Sequence, residues 1–336
     1  MVTLDVSTGG AAMSTGPQRR HHSCTVTRRI ALGYAAALAV ARPGITAPAG
    51  PAAVVAQVLA ASDRDLDYTR AKIAFDRLVD PSFSDAEILA ELDRLAQAAK
   101  AMAGTAGGEK SLLVALQREI YEPGPWNDNR PFSYDHADPF GHDLRNQLLA
   151  TYLQTREGNC VSMPMLYLVL ADRLGLVGAH LAEAPLHFFI RYVTASGREF
   201  NLETTSGAHT ARDEWYRQNL PMTDKAVSSG LYLRALSRRE AVATMADIVV
   251  ENLLKHGRYD DAIAVSDVIL RNAPLNAHVM AKRGTAFAKL LDAEFAQKYE
   301  RPDLISPALQ SRYAFLAAQN QAAFAAAEAL GWQPVK

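Results

Sequence analysis

Cys160, His187 and Glu203 are the residues best suited to covalent chemistry. The chain contains two cysteines, Cys24 and Cys160. Cys160 follows Gly158-Asn159, a turn-forming pair, and precedes a run in which Leu166, Leu170 and Leu174 recur at helical spacing. Gly175 is the expected stop of that helix, and Pro164 is tolerated only within its first turn. The helix therefore begins close to Cys160, and the thiol stands at its N-terminus. There the macrodipole and free backbone N–H groups favour an anion and lower a thiol's pKa. The same N–H groups can hold the oxyanion formed when a thiolate attacks a carbonyl.

Such a thiol needs a base. His187 opens the run His187-Phe-Phe-Ile-Arg-Tyr-Val193, which reads as a strand. Thr194-Ala-Ser-Gly197 reads as a turn and Arg198-Glu-Phe-Asn-Leu-Glu203 as the returning strand. A turn centred on Ala195 sets His187 opposite Glu203, where directly opposed residues have Cβ atoms about 5 Å apart. Asn201 shares that face because side chains alternate along a strand. A carboxylate beside the imidazole would hold its tautomer and stabilise the imidazolium. His180 and His209 are rivals for the base, but neither begins a strand with a carboxylate opposite.

A helix-starting Gly-Asn-Cys160, a strand-starting His187 and an acidic residue on the next strand together resemble the transglutaminase-like (papain-like cysteine) superfamily. The arrangement is similar to a bacterial branch in which the core follows an N-terminal helical region and precedes a tetratricopeptide segment. The resemblance runs from about Asp65 to Leu291 and is strongest over Thr155–Thr205. It implies an α+β fold: a Cys-bearing helix packed on a small antiparallel sheet, with extensive α-helical additions. It also implies acyl transfer or hydrolysis at amide bonds, with Cys160 as nucleophile, His187 as base and Glu203 where the family usually has Asp. That departure leaves Asn201 open as the orienting residue, in the papain manner. Gln154 stands at the spacing of a papain-like oxyanion-hole glutamine, and Asn159 flanks the thiol as a further supporting donor. No cofactor is implied. His21-His22-Ser23-Cys24 has metal-ligand residue types but lies in the leader, so no metal site is expected.

The elements that must position these residues follow from patterning. Residues 1–49 read as a leader: basic character through Arg28-Arg29, an apolar run Ile30–Ala41, and small-residue signatures at Ala39-Val40-Ala41 and Ala47-Pro48-Ala49. This predicts export to the periplasm or outside the cell, the alternative being a disordered tail on a cytoplasmic protein. The run is too short to span a bilayer, and no other stretch qualifies. Residues 54–120 read as a helical region, with helices over Asp63–Leu78, from a Ser84/Glu87 capping box to Met102, and near Leu112–Ile120. Residues 121–235 hold the catalytic core. It opens with a Pro/Gly/Asp-rich loop to Gly141, placed to wall a cleft, and a helix from His142 to Thr155. Residues 236–336 read as helical, and Leu253–Leu291 resembles one tetratricopeptide unit turning at Asn272-Ala-Pro274.

The 336 residues are 49% hydrophobic, ample for a packed core, and Lys+Arg 35 against Asp+Glu 36 leave a net charge of -1. That balance carries no nucleic-acid footprint. The expected partner is a peptide or protein amide substrate, with the cell envelope favoured by export. The competing reading is an inactive core acting as a scaffold, its helical tail binding a protein partner.

Overall fold

The computed structural model describes residues 50–105 and 107–335. The leader, with its cleavage signatures, His21, His22 and Cys24, lies outside the described residues. Four helices come first: α1 (Pro51–Leu59), α2 (Tyr68–Asp76), α3 (Asp85–Ala103) and α4 (Glu109–Tyr121). The helix expected over Asp63–Leu78 is shorter, because Asp67 caps α2 by accepting from the Arg70 N–H at 2.9 Å. Ser84 likewise caps α3, accepting from the Glu87 N–H at 3.3 Å, and Gly104 at φ +73° ends it.

Residues 122–141 form mostly loop, as their Pro/Gly/Asp content predicts. Buried Asn127 pins its start, donating from Nδ2 to the carbonyls of Glu119 and Glu122 at 2.9 and 2.8 Å. A strand of two residues, β1 (Ser133–Tyr134), pairs in parallel with β2 (Glu157–Gly158), beside the cysteine. The single helix expected from His142 to Thr155 is instead a 3-10 turn, Leu144–Gln147, followed by α5 (Leu149–Thr155). Two carboxylates cause the break: Asp143 caps the Arg145 N–H at 3.0 Å, and Asp76 accepts from the Leu149 N–H at 2.9 Å. Asp76 itself is fully buried and paired with Lys72, so α2 dictates where α5 begins.

Helix α6 (Ser162–Arg173) follows, with Ser162 through Ala171 all buried. It packs against the sheet of β3 (Ala179–Ala184), β4 (His187–Val193), β5 (Glu199–Glu203) and β6 (His209–Ala211), antiparallel in that order. The remainder is helical: α7 (Asp213–Asn219), α8 (Asp224–Ser228), α9 (Arg238–Met245), α10 (Asp247–Lys255), α11 (Tyr259–Asn272), α12 (Ala277–Leu291) and α13 (Pro307–Ala329). α11 and α12 pack on each other across the expected turn at Ala273-Pro274. One hydrophobic cluster runs from Val55 through α6 and the sheet to Ala286, so the N-terminal helices, the sheet and the C-terminal helices brace the same core. Mostly helical additions around a small antiparallel sheet make this an α+β fold, as the sequence predicts. Among the described residues no helix is long and apolar enough to cross a membrane.

Candidate active site

Cys160 sits on the turn just before α6. Asn159 builds that turn: its Oδ1 accepts from the N–H groups of Val161 and Ser162, both at 3.0 Å, while its own N–H donates to Ser162 Oγ at 3.0 Å. Asn159 and Ser162 are both buried, so the polar groups of the turn are satisfied within it. Asn159 thus shapes the backbone carrying the thiol, and its Nδ2 goes to the Asn146 carbonyl at 3.2 Å.

The Cys160 side chain lies against the β3–β4 hairpin. Its Sγ donates to the Leu186 carbonyl at 3.3 Å, and its own carbonyl accepts from the Phe188 N–H at 3.3 Å. The cysteine therefore grips the residues on either side of His187. Leu186 occupies the turn between Ala184 and His187 at φ +52°, a left-handed conformation strained for leucine.

His187 Nε2 meets Glu203 Oε2 at 2.8 Å. An ionised Glu203 accepts here, so Nε2 carries the proton and Nδ1 is left as the acceptor nitrogen. The carboxylate is saturated: Tyr216 donates its hydroxyl to Oε2 at 2.9 Å, and Thr205 donates its N–H and its hydroxyl to Oε1 at 3.0 and 2.6 Å. Burial alone would raise the Glu203 pKa. The hydrogen bond and charge of His187, with the Thr205 and Tyr216 bonds, hold it below the usual value.

The pairing differs in register from the expectation. Ile190 faces Leu202 and Arg191 faces Asn201, so the turn centres on Ser196 rather than Ala195. Continued, this ladder sets Glu203 against Phe189, and Glu203 reaches His187 diagonally. Both positions keep the same face because the shift preserves the two-residue alternation. Glutamate in place of the shorter aspartate fits that longer diagonal. Asn201 lies further along the same face and spends its side chain on Arg191 (Nε, 3.1 Å) and Asp213 (Oδ1, 2.7 Å). Gln154 is exposed on α5 and lines a different cleft, with Asp80 and Arg145.

Two expectations about the thiol are corrected. First, the helix-start amides are not free: Val161 and Ser162 bond Asn159 Oδ1, Met163 bonds the Asn159 carbonyl at 3.1 Å, and the Cys160 N–H bonds the Pro139 carbonyl at 3.3 Å. Second, the thiol's pKa is raised, not lowered. Burial pushes it up to about 12, helped by the negative charge of Glu203. With Cys160 only 3% exposed, that desolvation outweighs the helix terminus. Among the described residues the thiol's hydrogen bond runs to Leu186 and the imidazole's to Glu203, with none joining sulfur to ring.

Three site features were missed from sequence. Tyr216 arrives from α7, stacked on Phe189 with ring centroids 4.2 Å apart. Tyr134, on β1, donates its hydroxyl to the Pro139 carbonyl at 3.3 Å, the same oxygen that receives the Cys160 N–H. A cavity of about 240 Å³ opens beside His187, walled by Val161 just before α6, by Met165 of α6, by Leu186, and by residues of α9, α10 and α12. No spacing motif marks any of them, because each depends on where distant segments fold. Among the described residues no cluster of His, Cys, Asp and Glu suits a metal ion.

No curated protein and no solved structure matches the chain. A family model does, over the stretch from α3 to the start of α10, which includes the cysteine turn, α6 and the whole sheet. Residues 86–247 match the family model of the transglutaminase-like superfamily.

Proposed function

We propose that the protein is a cysteine-dependent acyl-transfer enzyme acting on amide bonds, with Cys160 as nucleophile, His187 as base and acid, and Glu203 as the residue that orients the imidazole. The observation that carries this reading is the His187–Glu203 pair at 2.8 Å on a hairpin that Cys160 grips on both sides.

In the resting state the thiol is protonated and held to the Leu186 carbonyl. Losing its proton to bulk water would leave a buried, lone anion beside Glu203, which is the cost expressed in its raised pKa. Passing the proton to His187 Nδ1 leaves a thiolate–imidazolium pair instead, with Glu203 stabilising the imidazolium. The thiol must exchange Leu186 for the imidazole to do so. Sγ then bonds to the amide carbon, the carbonyl π electrons move to oxygen, and a tetrahedral intermediate forms. Collapse breaks the C–N bond as imidazolium protonates the leaving amine, giving a thioester. Water or a second amine attacks the thioester, its proton going to His187, and the thiol is regenerated.

The Pro139 carbonyl indicates where the oxyanion would sit. Two donors, Cys160 N–H and Tyr134 O–H, converge on that oxygen at 3.3 Å each, beside the sulfur. A substrate carbonyl displacing it would meet both. Burial, then the charges of Cys160 and Glu203, raise the Tyr134 pKa and keep its phenol a donor. The leader's export signatures favour an envelope substrate. The test is amine release from a panel of peptide amides by the wild type, Cys160→Ala and His187→Ala. Release that both substitutions reduce by at least about 10³-fold supports the reading. Release independent of Cys160, or none from any amide, leaves the scaffold role of an inactive core.

A further inference from the structure

We infer that the cavity beside His187 is a recognition pocket for a primary ammonium group on an aliphatic stem, with Glu183 and Asp247 as the carboxylates that receive it. The inference rests on the amide-cleaving reading for its role in catalysis, since the pocket opens next to the proposed base.

The pocket's composition sets the ligand's chemistry. Phe140 and Leu186, 50% and 44% exposed, form an apolar lip, and Met165 and Ile248 continue that surface inward. Deeper, three carboxylates, Glu183, Asp247 and Glu251, face two ammonium groups, Lys72 and Lys282. Lys72 is already neutralised by Asp76. Lys282 bridges Asp247 Oδ2 at 2.9 Å and Glu251 Oε2 at 3.0 Å, and Lys255 serves Glu251 from the outside at 3.5 Å. Glu183 therefore has no salt bridge among the described residues: Arg234 acts on it only at longer range and is itself paired with Glu240 at 2.6 Å. Glu183 is 5% exposed, its only side-chain bond is from the Thr244 hydroxyl to Oε1 at 3.3 Å, and its Oε2 has no partner among the described residues. Asp247 Oδ1 is also buried without a partner. Burial first, and then the charge of Asp247, push the Glu183 pKa up to about 7, against the smaller lowering effects of the Thr244 hydrogen bond and the Arg234 charge. An ammonium entering past the apolar lip supplies the missing charge and donors for both free oxygens, and its methylene stem lies on Met165 and Ile248. A carboxylate ligand would meet like charge, and a neutral alcohol would leave the negative charge uncompensated.

Binding to the full 336-residue chain is measured by calorimetry at pH 8 with n-butylammonium, 1-butanol and butyrate, using wild type, Cys160→Ala, Glu183→Gln and Asp247→Asn. The expected result is n-butylammonium binding about tenfold or more tighter than 1-butanol, no butyrate binding, and loss of that preference in Glu183→Gln and Asp247→Asn. Cys160→Ala keeps the preference, because the pocket does not use the thiol. Equal affinity for ammonium and alcohol in the wild type, a measurement that needs no variant to fold, overturns the inference. So does a preference unchanged in both carboxylate variants. If the preference holds but no Cys160-dependent amide cleavage is found, the pocket stands and the catalytic reading falls. If Cys160-dependent cleavage shows no preference for cationic over neutral amides, the catalytic reading stands and the pocket's role in it falls.

Discussion

At the scale of single residues, burial and proximity oppose each other at Cys160. Desolvation and the Glu203 charge disfavour a free thiolate, and the proposed mechanism sends its proton to the imidazole of His187, held by Glu203 on the hairpin to which the thiol is bonded. The resting thiol is accordingly expected to be a poor target for a reagent from solution. Iodoacetamide at pH 7.5 should modify native Cys160 more slowly than a small free thiol, with the rate rising as pH is increased and jumping on unfolding; timed mass spectrometry checks this. Alkylation at the rate of a free thiol at neutral pH would contradict both the burial and the raised pKa. Tyr134 offers a second residue-scale test. Tyr134→Phe removes one of two oxyanion donors and is expected to lower kcat by roughly 10–10³-fold with little change in KM, a split that a purely structural role would not produce. Steady-state kinetics on any amide that the wild type cleaves provides the measurement.

At the scale of elements, the hairpin β3–β4 holds the thiol's resting partner, and it does so through a strained residue. Leu186 sits at φ +52° with its side chain 44% exposed, so glycine would relieve the backbone while giving up little burial. Leu186→Gly is expected to stabilise the fold by about 0.5–1 kcal/mol, read as a higher urea midpoint with unchanged slope; a lower midpoint would show that leucine's contacts outweigh its strain. The elements differ in how legible they were. The strand His187–Val193 was readable because its aromatic and β-branched run starts at a Pro-Leu turn and ends at Thr194. The face shared by His187 and Glu203 was readable as well, since a shift of the turn's centre from Ala195 to Ser196 preserves alternation. The register itself was not. It depends on the loop's internal bonds, where the Thr194 N–H donates to the Arg198 carbonyl at 2.9 Å and Gly197 turns at φ +78°. The break before α5 was hidden for a similar reason: the Asp76 carboxylate that caps Leu149 comes from a helix far away in sequence. Pro139, Tyr134 and Tyr216 reach the site through folding alone, and no local pattern announces them.

At the scale of the molecule, the site is braced by helices from both the N-terminal and the C-terminal parts of the described residues, and acids without hydrogen bonds are buried beside that apolar core. Glu119, fully buried on α4, has both oxygens without a hydrogen bond and Arg94 no closer than 3.8 Å. Burial raises its pKa to about 7 against the restraining charges of Arg94 and Arg156. An acid raised on folding binds its proton more tightly in the native state. It therefore makes stability fall as pH rises from about 4.5 to about 7, and contributes no further slope above that range. Glu119→Gln should flatten this part of the profile and stabilise the protein at pH 8 by on the order of 1 kcal/mol. Glu183 contributes a slope of the same sign and remains in the variant. Urea unfolding across pH 4–8 decides the point: an unchanged profile would mean that Glu119 is compensated in solution. Glu203 acts in the opposite sense. Its lowered pKa adds stability that is present above about pH 4.5 and is lost as pH falls through its folded value, so the site loosens in acid.

The most direct test of the central claim is to capture the acyl-enzyme. Reaction of the protein with p-nitrophenyl acetate at neutral pH, followed by intact-mass and peptide analysis, should show a single acetyl thioester at Cys160, absent in Cys160→Ala and formed far more slowly in His187→Ala. Acetylation spread over lysines with none at Cys160, or acylation of Cys160 at the same rate without His187, would contradict the account.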